Sequence, residues 1–302
     1  MAKTFWIQTE DGMQIYAKKW QAETEPRALF LISHGMTEHI ERYEEFASYM
    51  AAHGMIVYGH DHRGHGRTGD HAGMLGVLAE RDGFEKTAED IFTMVMLAKL
   101  EHPGLPVYLF GHSMGSFLIR LLMQTYSSHI NGVILSGTGY FPKHEVVSGR
   151  LLAGLLSANK EAPLMNALTF GAYNRKISQM KTPFDWLSRD RQEVEKYLDD
   201  PFCGFIPPAR FFSDLMTGLL HIHNRKQNRK IRKDLPLLIA GGTADPVGSF
   251  GAGIWKTAQL YEKVGLEEIA VMLFDGARHE LLHEINREAV FQAFLQWIEQ
   301  QL

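Results

Sequence analysis

With a single cysteine, Cys203, in 302 residues, the chain can form no internal disulfide, which suits a reducing compartment. It also has no run approaching the ~20 apolar residues that a membrane span requires. The opening Met-Ala-Lys-Thr-Phe-Trp-Ile-Gln-Thr-Glu-Asp lacks the apolar centre of a secretory signal. A cytoplasmic protein is therefore expected, with contact at a membrane surface the one membrane association left open. Excess positive charge is missing too. Lys and Arg number 31 against 35 Asp and Glu, a formal net charge of -4, so no global basic field draws the chain to nucleic acid. Internal repeats and low-complexity tracts are absent. At 45% hydrophobic and 22% charged, the composition is that of a soluble globular protein.

What is present alternates between two periods. Residues 5–20 read as a hairpin turning at Asp11-Gly12. Short continuous apolar runs follow at Ala28–Ser33, Met55–Tyr58, Val107–Phe110, Val133–Leu135, Leu235–Ala240 and Ile269–Phe274. Apolarity without alternation suits parallel strands buried on both faces. Between the runs lie helical patterns: Tyr43, Phe46, Ala47, Met50, Ala51; then Phe84, Thr87, Ala88, Ile91, Met94, Val95, Ala98; and a last helix over about 283–301 carrying Val290, Phe291, Phe294, Leu295 and Ile298. Alternation of this kind predicts an α/β fold with a mostly parallel central sheet flanked by helices. Residues 141–230 break the rhythm with no clear strand. Roughly 90 residues is far beyond an ordinary crossover, so 141–230 is expected to be a helical cap over the carboxyl edge of a core made of 1–140 and 231–302.

The chemistry is concentrated at Val107–Gly115, where an apolar run ends in Gly111-His112-Ser113-Met114-Gly115 and a helical pattern follows. Strand, sharp turn and helix form a nucleophile elbow that projects the Ser113 hydroxyl. A serine hydroxyl needs an imidazole to take its proton, and the imidazole needs an acid to fix its tautomer. In the chain order serine, acid, histidine, the best acid is Asp245, after the run Leu235–Ala240, with Asp275 as competitor. The best base is His279, after the run Ile269–Phe274. A developing oxyanion requires two backbone N–H groups. Met114 supplies one and Met36 the other, in His34-Gly35-Met36-Thr37, where Gly35 lets the backbone approach the substrate.

Other features carry less. His279-Glu280-Leu281-Leu282-His283 matches the H-E-x-x-H zinc signature. It sits at a strand-to-helix boundary, has no evident third ligand and leaves the elbow unexplained, so no metal is expected. His283 and Glu284 are instead expected to cap or flank the last helix. Six histidines from His34 to His71 are expected to be loop residues, some ordering the pocket floor through hydrogen bonds, in preference to a metal site, and Asp61 and Arg63 are hypothesised to pair. Arg225, Lys226, Arg229, Lys230, Arg232 and Lys233 read as a solvated helix face in preference to an anionic-lipid contact. Leu151, Leu152, Leu155 and Leu156 fit core packing as well as an acyl tunnel or a membrane contact. Cys203 is expected to be buried and inert.

Three motifs carry a resemblance: His34-Gly35-Met36-Thr37-Glu38-His39 with Arg42-Tyr43, Asp61-His62-Arg63-Gly64-His65-Gly66, and Gly111-His112-Ser113-Met114-Gly115. Gly-Thr-Ala-Asp245-Pro and Gly-Ala-Arg-His279-Glu match as well. With these the chain resembles the monoacylglycerol lipase and lysophospholipase group of the α/β-hydrolase superfamily over nearly its whole length, the cap being weakest. It departs in having Thr37 where many members have Gly, Thr68 where many have Ser, and His283 one residue late. The resemblance implies the triad Ser113, Asp245 and His279, oxyanion donors Met36 and Met114, and a polar network of Glu38 and Arg42 at the glycerol end beside Gly35. It implies a lipid ester substrate of one chain and no cofactor. A short-chain carboxylesterase, a thioesterase or an aminopeptidase would use the same core, and a non-catalytic receptor is the alternative of another class.

Overall fold

The computed structural model describes residues 2–177 and 180–302; two residues of the expected cap, 178 and 179, lie outside it. Eight strands form one sheet: β1 (Ala2–Gln8), β2 (Gln14–Trp20), β3 (Ala28–Ser33), β4 (Met55–His60), β5 (Val107–His112), β6 (Gly132–Ser136), β7 (Leu237–Gly242) and β8 (Ile269–Phe274). Their spatial order is β1-β2-β4-β3-β5-β6-β7-β8. The hairpin of β1 and β2 turns through Gly12 at φ +85° and joins the sheet antiparallel to β4, and the pairings from β4 through β8 are all parallel.

The helices are α1 (Glu44–Ala52), α2 (Gly66–His71), α3 (Gly83–Glu101), α4 (Met114–Tyr126), α5 (Lys143–Gly154), α6 (Pro163–Phe170), α7 (Arg191–Asp199), α8 (Ala209–Ile222), α9 (Arg225–Asn228), α10 (Ala252–Glu262) and α11 (Arg287–Glu299). Every residue of β3 through β7 is buried, because helices cover both faces. Successive strand residues point to opposite faces. Val107 and Leu109 therefore join a core with Ile91 of α3, Leu118 of α4, Phe212 of α8 and Ile254 of α10. Tyr108 and Phe110 join the other, with Phe46 of α1 and Phe294 of α11. This two-sided cover explains why the strands read as continuous apolar runs. Between β6 and β7 the chain is helical, and α8 packs against α3, α4 and α5. Among the described residues no helix is long and apolar enough to cross a membrane.

Two boundaries differ from expectation. The strand expected at Leu235–Ala240 runs over Leu237–Gly242. Pro236 has no N–H to give to a ladder, whereas Gly241 and Gly242 stay in register with Leu273 and Phe274. The last helix begins at Arg287, not near 283. Glu284 holds an extended backbone (ψ 162°), and its carboxylate accepts the N–H groups of Arg189 and Arg278. Neither His283 nor Glu284 caps α11, whose N-cap position is Asn286.

Candidate active site

Ser113 sits between β5 and α4 at φ 50°, ψ -117°, a region that costs a residue with a side chain of order 1–3 kcal/mol. The surroundings enforce it. The Ser113 N–H donates to the Ser136 carbonyl at 2.9 Å, and the backbones crowd closely on either side. A Cβ on Gly115 would lie 2.1 Å from the Ser33 carbonyl oxygen, and one on Gly111 would lie 2.6 Å from that of Gly115. Only glycine lets α4 cross the ends of β3 and β5 this closely. Met114 is the first residue of α4, so its N–H has no intrahelical acceptor.

Asp245 and His279 follow β7 and β8, at the same sheet edge. His279 Nδ1 lies 3.1 Å from both Asp245 carboxylate oxygens. Asp245 is fully buried and accepts the Val247 N–H at 2.8 Å. The imidazole packs against the rings of His112 and Trp186, with centroids 4.7 and 4.9 Å away. Burial disfavours its charged form, but the Asp245 carboxylate, by attraction and hydrogen bond, outweighs burial and raises the His279 pKa above 6.5. Asp275 takes no part; it accepts from the Thr243 hydroxyl at 3.2 Å.

Ser113 and His279 line one cavity of about 420 Å³ together with Gly35, Met36 and Glu38. Among the described residues the Ser113 hydroxyl makes no hydrogen bond, so the structure joins the acid to the histidine and brings the serine to the same wall. A second cavity of about 580 Å³ also reaches Ser113, Met36 and Met114. It is mostly apolar, walled by Phe117, Leu152, Met165, Leu215, Met216 and Leu219.

The loop after β3 is under tension. Gly35 comes so near the elbow that a Cβ there would lie 3.3 Å from that of Ser113. Thr37 has φ 52°, and Tyr197 holds it by donating to its carbonyl at 2.9 Å. Behind the loop lies a buried ionic cluster. Arg42 donates to Glu38 at 2.7 Å and, with both terminal nitrogens, to Glu280 at 2.6 and 2.8 Å. Its guanidinium lies 4.9 Å from the centre of the Tyr197 ring. Glu38 also accepts from the Gly35 N–H and the Tyr43 hydroxyl. Burial opposes ionisation of Glu280, yet Arg42 outweighs it and holds the carboxyl well below its usual range. Gly35 and Glu38 line the smaller cavity, whereas Arg42 stands behind the two glutamates.

The H-E-x-x-H spacing gathers no metal ligands. His279 faces Asp245, and His283 Nε2 donates to the Arg42 carbonyl at 2.9 Å. Among the described residues the one trio of ligand-type side chains is His39, Asp200 and Cys203, where His39 Nε2 pairs with Asp200 at 2.8 Å. Cys203 is buried, and burial pushes its thiol pKa far upward. The hypothesised pairing of Asp61 with Arg63 does not occur. Arg63 forks onto Asp90 and Asp11, while both Asp61 carboxylate oxygens are taken by the backbone N–H groups of Ile40 and Arg67, which ties the loop after β4 to the segment after β3. Leu152 lines the apolar cavity, but Leu151 and Leu155 are exposed. Sequence reasoning missed Trp186 and Tyr197, which lie in a region without motifs, and the pairing of Glu280 with Arg42, since Glu280 stood out only as the glutamate of H-E-x-x-H beside His279.

The model of the family described as serine aminopeptidase, S33, matches residues 24–286. A monoglyceride lipase homolog of Monkeypox virus is 30% identical, with 95% of each chain covered. Human monoglyceride lipase is 28% identical over 96% of this chain and 88% of that protein. A thermostable carboxyl esterase of Bacillus coagulans, solved in complex with glycerol, superposes with a TM-score of 0.92 at 26% identity, covering 99% and 98% of the two chains. The chain belongs to the serine aminopeptidase S33 family of α/β-hydrolases, among relatives that include monoglyceride lipases, and is a carboxylic-ester hydrolase.

Proposed function

We propose that the protein cleaves single-chain lipid esters, monoacylglycerols foremost, through an acyl-enzyme on Ser113. One observation carries this: two mostly apolar cavities meet at Ser113, and the smaller also holds a group of polar side chains. The larger is walled by aliphatic and aromatic side chains and suits an acyl chain. The smaller has Phe170, Phe184 and Trp186 in its wall, but Glu38, His112, Asn166 and Glu280 line it as well and suit a hydroxyl-bearing alcohol.

In this reading Ser113 Oγ attacks the ester carbonyl and His279 takes its proton. Asp245 keeps that proton acceptor in the right tautomer and stabilises the imidazolium. The Met36 and Met114 N–H groups hold the oxyanion. His279 then protonates the leaving alcohol. Water attacks the acyl-enzyme with His279 as base, and Ser113 is regenerated. No cofactor enters any step. Glu38, braced by Arg42, faces the alcohol beside Gly35. Residues 141–230 cap the site, and the exposed Leu151, Leu155, Leu164 and Leu168 on and beside α5 and α6 touch the lipid surface from which substrate is drawn. The names of the relatives as monoglyceride lipases support the same substrate class.

The test is a series of monoacylglycerols and p-nitrophenyl esters of increasing chain length. Turnover that rises with acyl length and vanishes in S113A is expected. A preference peaking at acetate refutes the lipid assignment, and turnover surviving in S113A refutes the serine mechanism.

A further inference from the structure

A string of buried histidines lies under the loop after β3, and the mechanism uses none of them. His34, His60, His62 and His65 are each at most 2% exposed. Their hydrogen bonds have a direction. The His62 backbone N–H donates to His34 Nε2 at 2.9 Å, so the His34 proton is on Nδ1. That Nδ1–H donates to the Gly35 carbonyl at 2.7 Å. The His62 ring is held in turn: its Nε2 lies 3.0 Å from the Ser33 hydroxyl and 3.2 Å from the His34 carbonyl, and its Nδ1 lies 3.2 Å from His60 Nε2. Burial pushes all four pKa values down, those of His60 and His65 to about 4, so the rings stay neutral and the His34 tautomer holds at neutral pH.

The Gly35 carbonyl belongs to the same peptide unit as the Met36 N–H. No peptide bond here is cis, so carbonyl and N–H point in opposite directions across a rigid plane. Whatever grips the carbonyl aims the N–H. Glu38 grips the preceding N–H, that of Gly35. The peptide is thus held from behind while its free N–H is directed away from the histidines.

We propose that His34, locked into one tautomer by the His62 backbone, is a positioning residue that aims the Met36 N–H at the oxyanion. The inference rests on the function proposed above. His34 touches no substrate and acts only through the Gly35–Met36 peptide.

The experiment compares H34L, which loses the donor, with H34N, whose side-chain N–H2 lies near the place of the imidazole Nδ1–H. Rates are normalised to active sites titrated with a fluorophosphonate. An oxyanion donor is worth about 10²–10³ in kcat, and misaiming one forfeits part of that. H34L is expected to lose about 10- to 100-fold in kcat with KM within about twofold, and to bind an alkyl trifluoromethyl ketone more weakly by the same factor. H34N is expected to recover most of both. If H34L does not fold, H34N alone decides: it must keep kcat and ketone affinity within about tenfold of the parent. Wild-type kcat per titrated site in H34L overturns the proposal, as does H34N folded but no better than H34L, or below that tenfold limit when H34L is missing. S113A separates the two levels. If S113A is inactive while H34L is normal, only the positioning role falls; if S113A still turns over, the serine mechanism itself falls.

Discussion

Gly115→Ala sets two effects against each other. Gly115 is the second residue of α4 and its φ is not positive, so helix propensity alone favours alanine by up to about 1 kcal/mol. Packing says the opposite. The new Cβ would stand 2.1 Å from the Ser33 oxygen and 2.6 Å from the His34 oxygen. Regaining an ordinary contact of 3.4 Å from 2.1 Å means moving α4 by about 1.3 Å. Both obstructing atoms are backbone in a buried strand end, so neither can swing aside. Overpacking of this kind costs about 1–3 kcal/mol or more, which exceeds the propensity gain. The functional cost is larger still. Ser113 and Met114 stand at the start of α4, while Ser33 and His34 lead into Gly35 and Met36, so the collision separates the proposed nucleophile from one proposed oxyanion donor. A misplacement near 1 Å costs about 10²-fold in rate. We expect G115A to fold, to lose about 1–2 kcal/mol in urea unfolding, and to lose about 100-fold in kcat and in fluorophosphonate labelling rate. An unchanged midpoint with unchanged kcat would refute the reasoning, because it would mean the crossing of α4 over β3 has slack.

The raised pKa of His279 fixes the sign of the pH dependence. Only the neutral ring accepts the serine proton, so kcat/KM should hold above the folded pKa and fall as pH drops through a value above 6.5. Asp245 is what raises it, so D245N should lower kcat about 10⁴-fold and move the acid limb to lower pH; a limb that stays in place contradicts the assignment. Arg42→Met strands the buried Glu38 and Glu280 carboxylates and should cost about 3–5 kcal/mol in denaturant unfolding. The triple variant E38Q/R42M/E280Q should regain much of that loss; a single variant within about 1 kcal/mol of the parent would show the cluster to be solvated.

The sheet was legible because its central strands are covered on both faces, and continuous runs such as Val107–Phe110 have few other uses. Ser113, Asp245 and His279 were legible for a related reason: each lies just past a strand, and the parallel sheet puts those ends on one edge. What could not be read depends on contacts between distant segments. Arg63 was hypothesised to pair with the near Asp61 and instead joins Asp90, 27 residues away, and Asp11. Trp186 and Tyr197 follow no motif, and only the folded chain brings them to His279 and Thr37. Proline and extended backbone shifted the starts of β7 and α11, because propensity patterns do not record which N–H groups a ladder or a carboxylate will claim.

The Arg42 cluster is a poor device for stability. Desolvating a guanidinium and two carboxylates costs several kcal/mol per ion, and a well-packed apolar substitute is often as stable or more so. Its value lies in what it connects. Arg42 follows the loop after β3, Glu280 follows His279, and the two are 238 residues apart in sequence. A forked guanidinium accepts few geometries, so the pair fixes the distance between the loop that carries Met36, the proposed oxyanion donor, and the loop that carries His279, the proposed base. Glu38 completes the link by holding the Gly35 N–H. Apolar packing would tolerate sliding between these loops at little cost. Replacing the cluster with apolar side chains of equal volume should therefore separate the two quantities, keeping stability while lowering kcat.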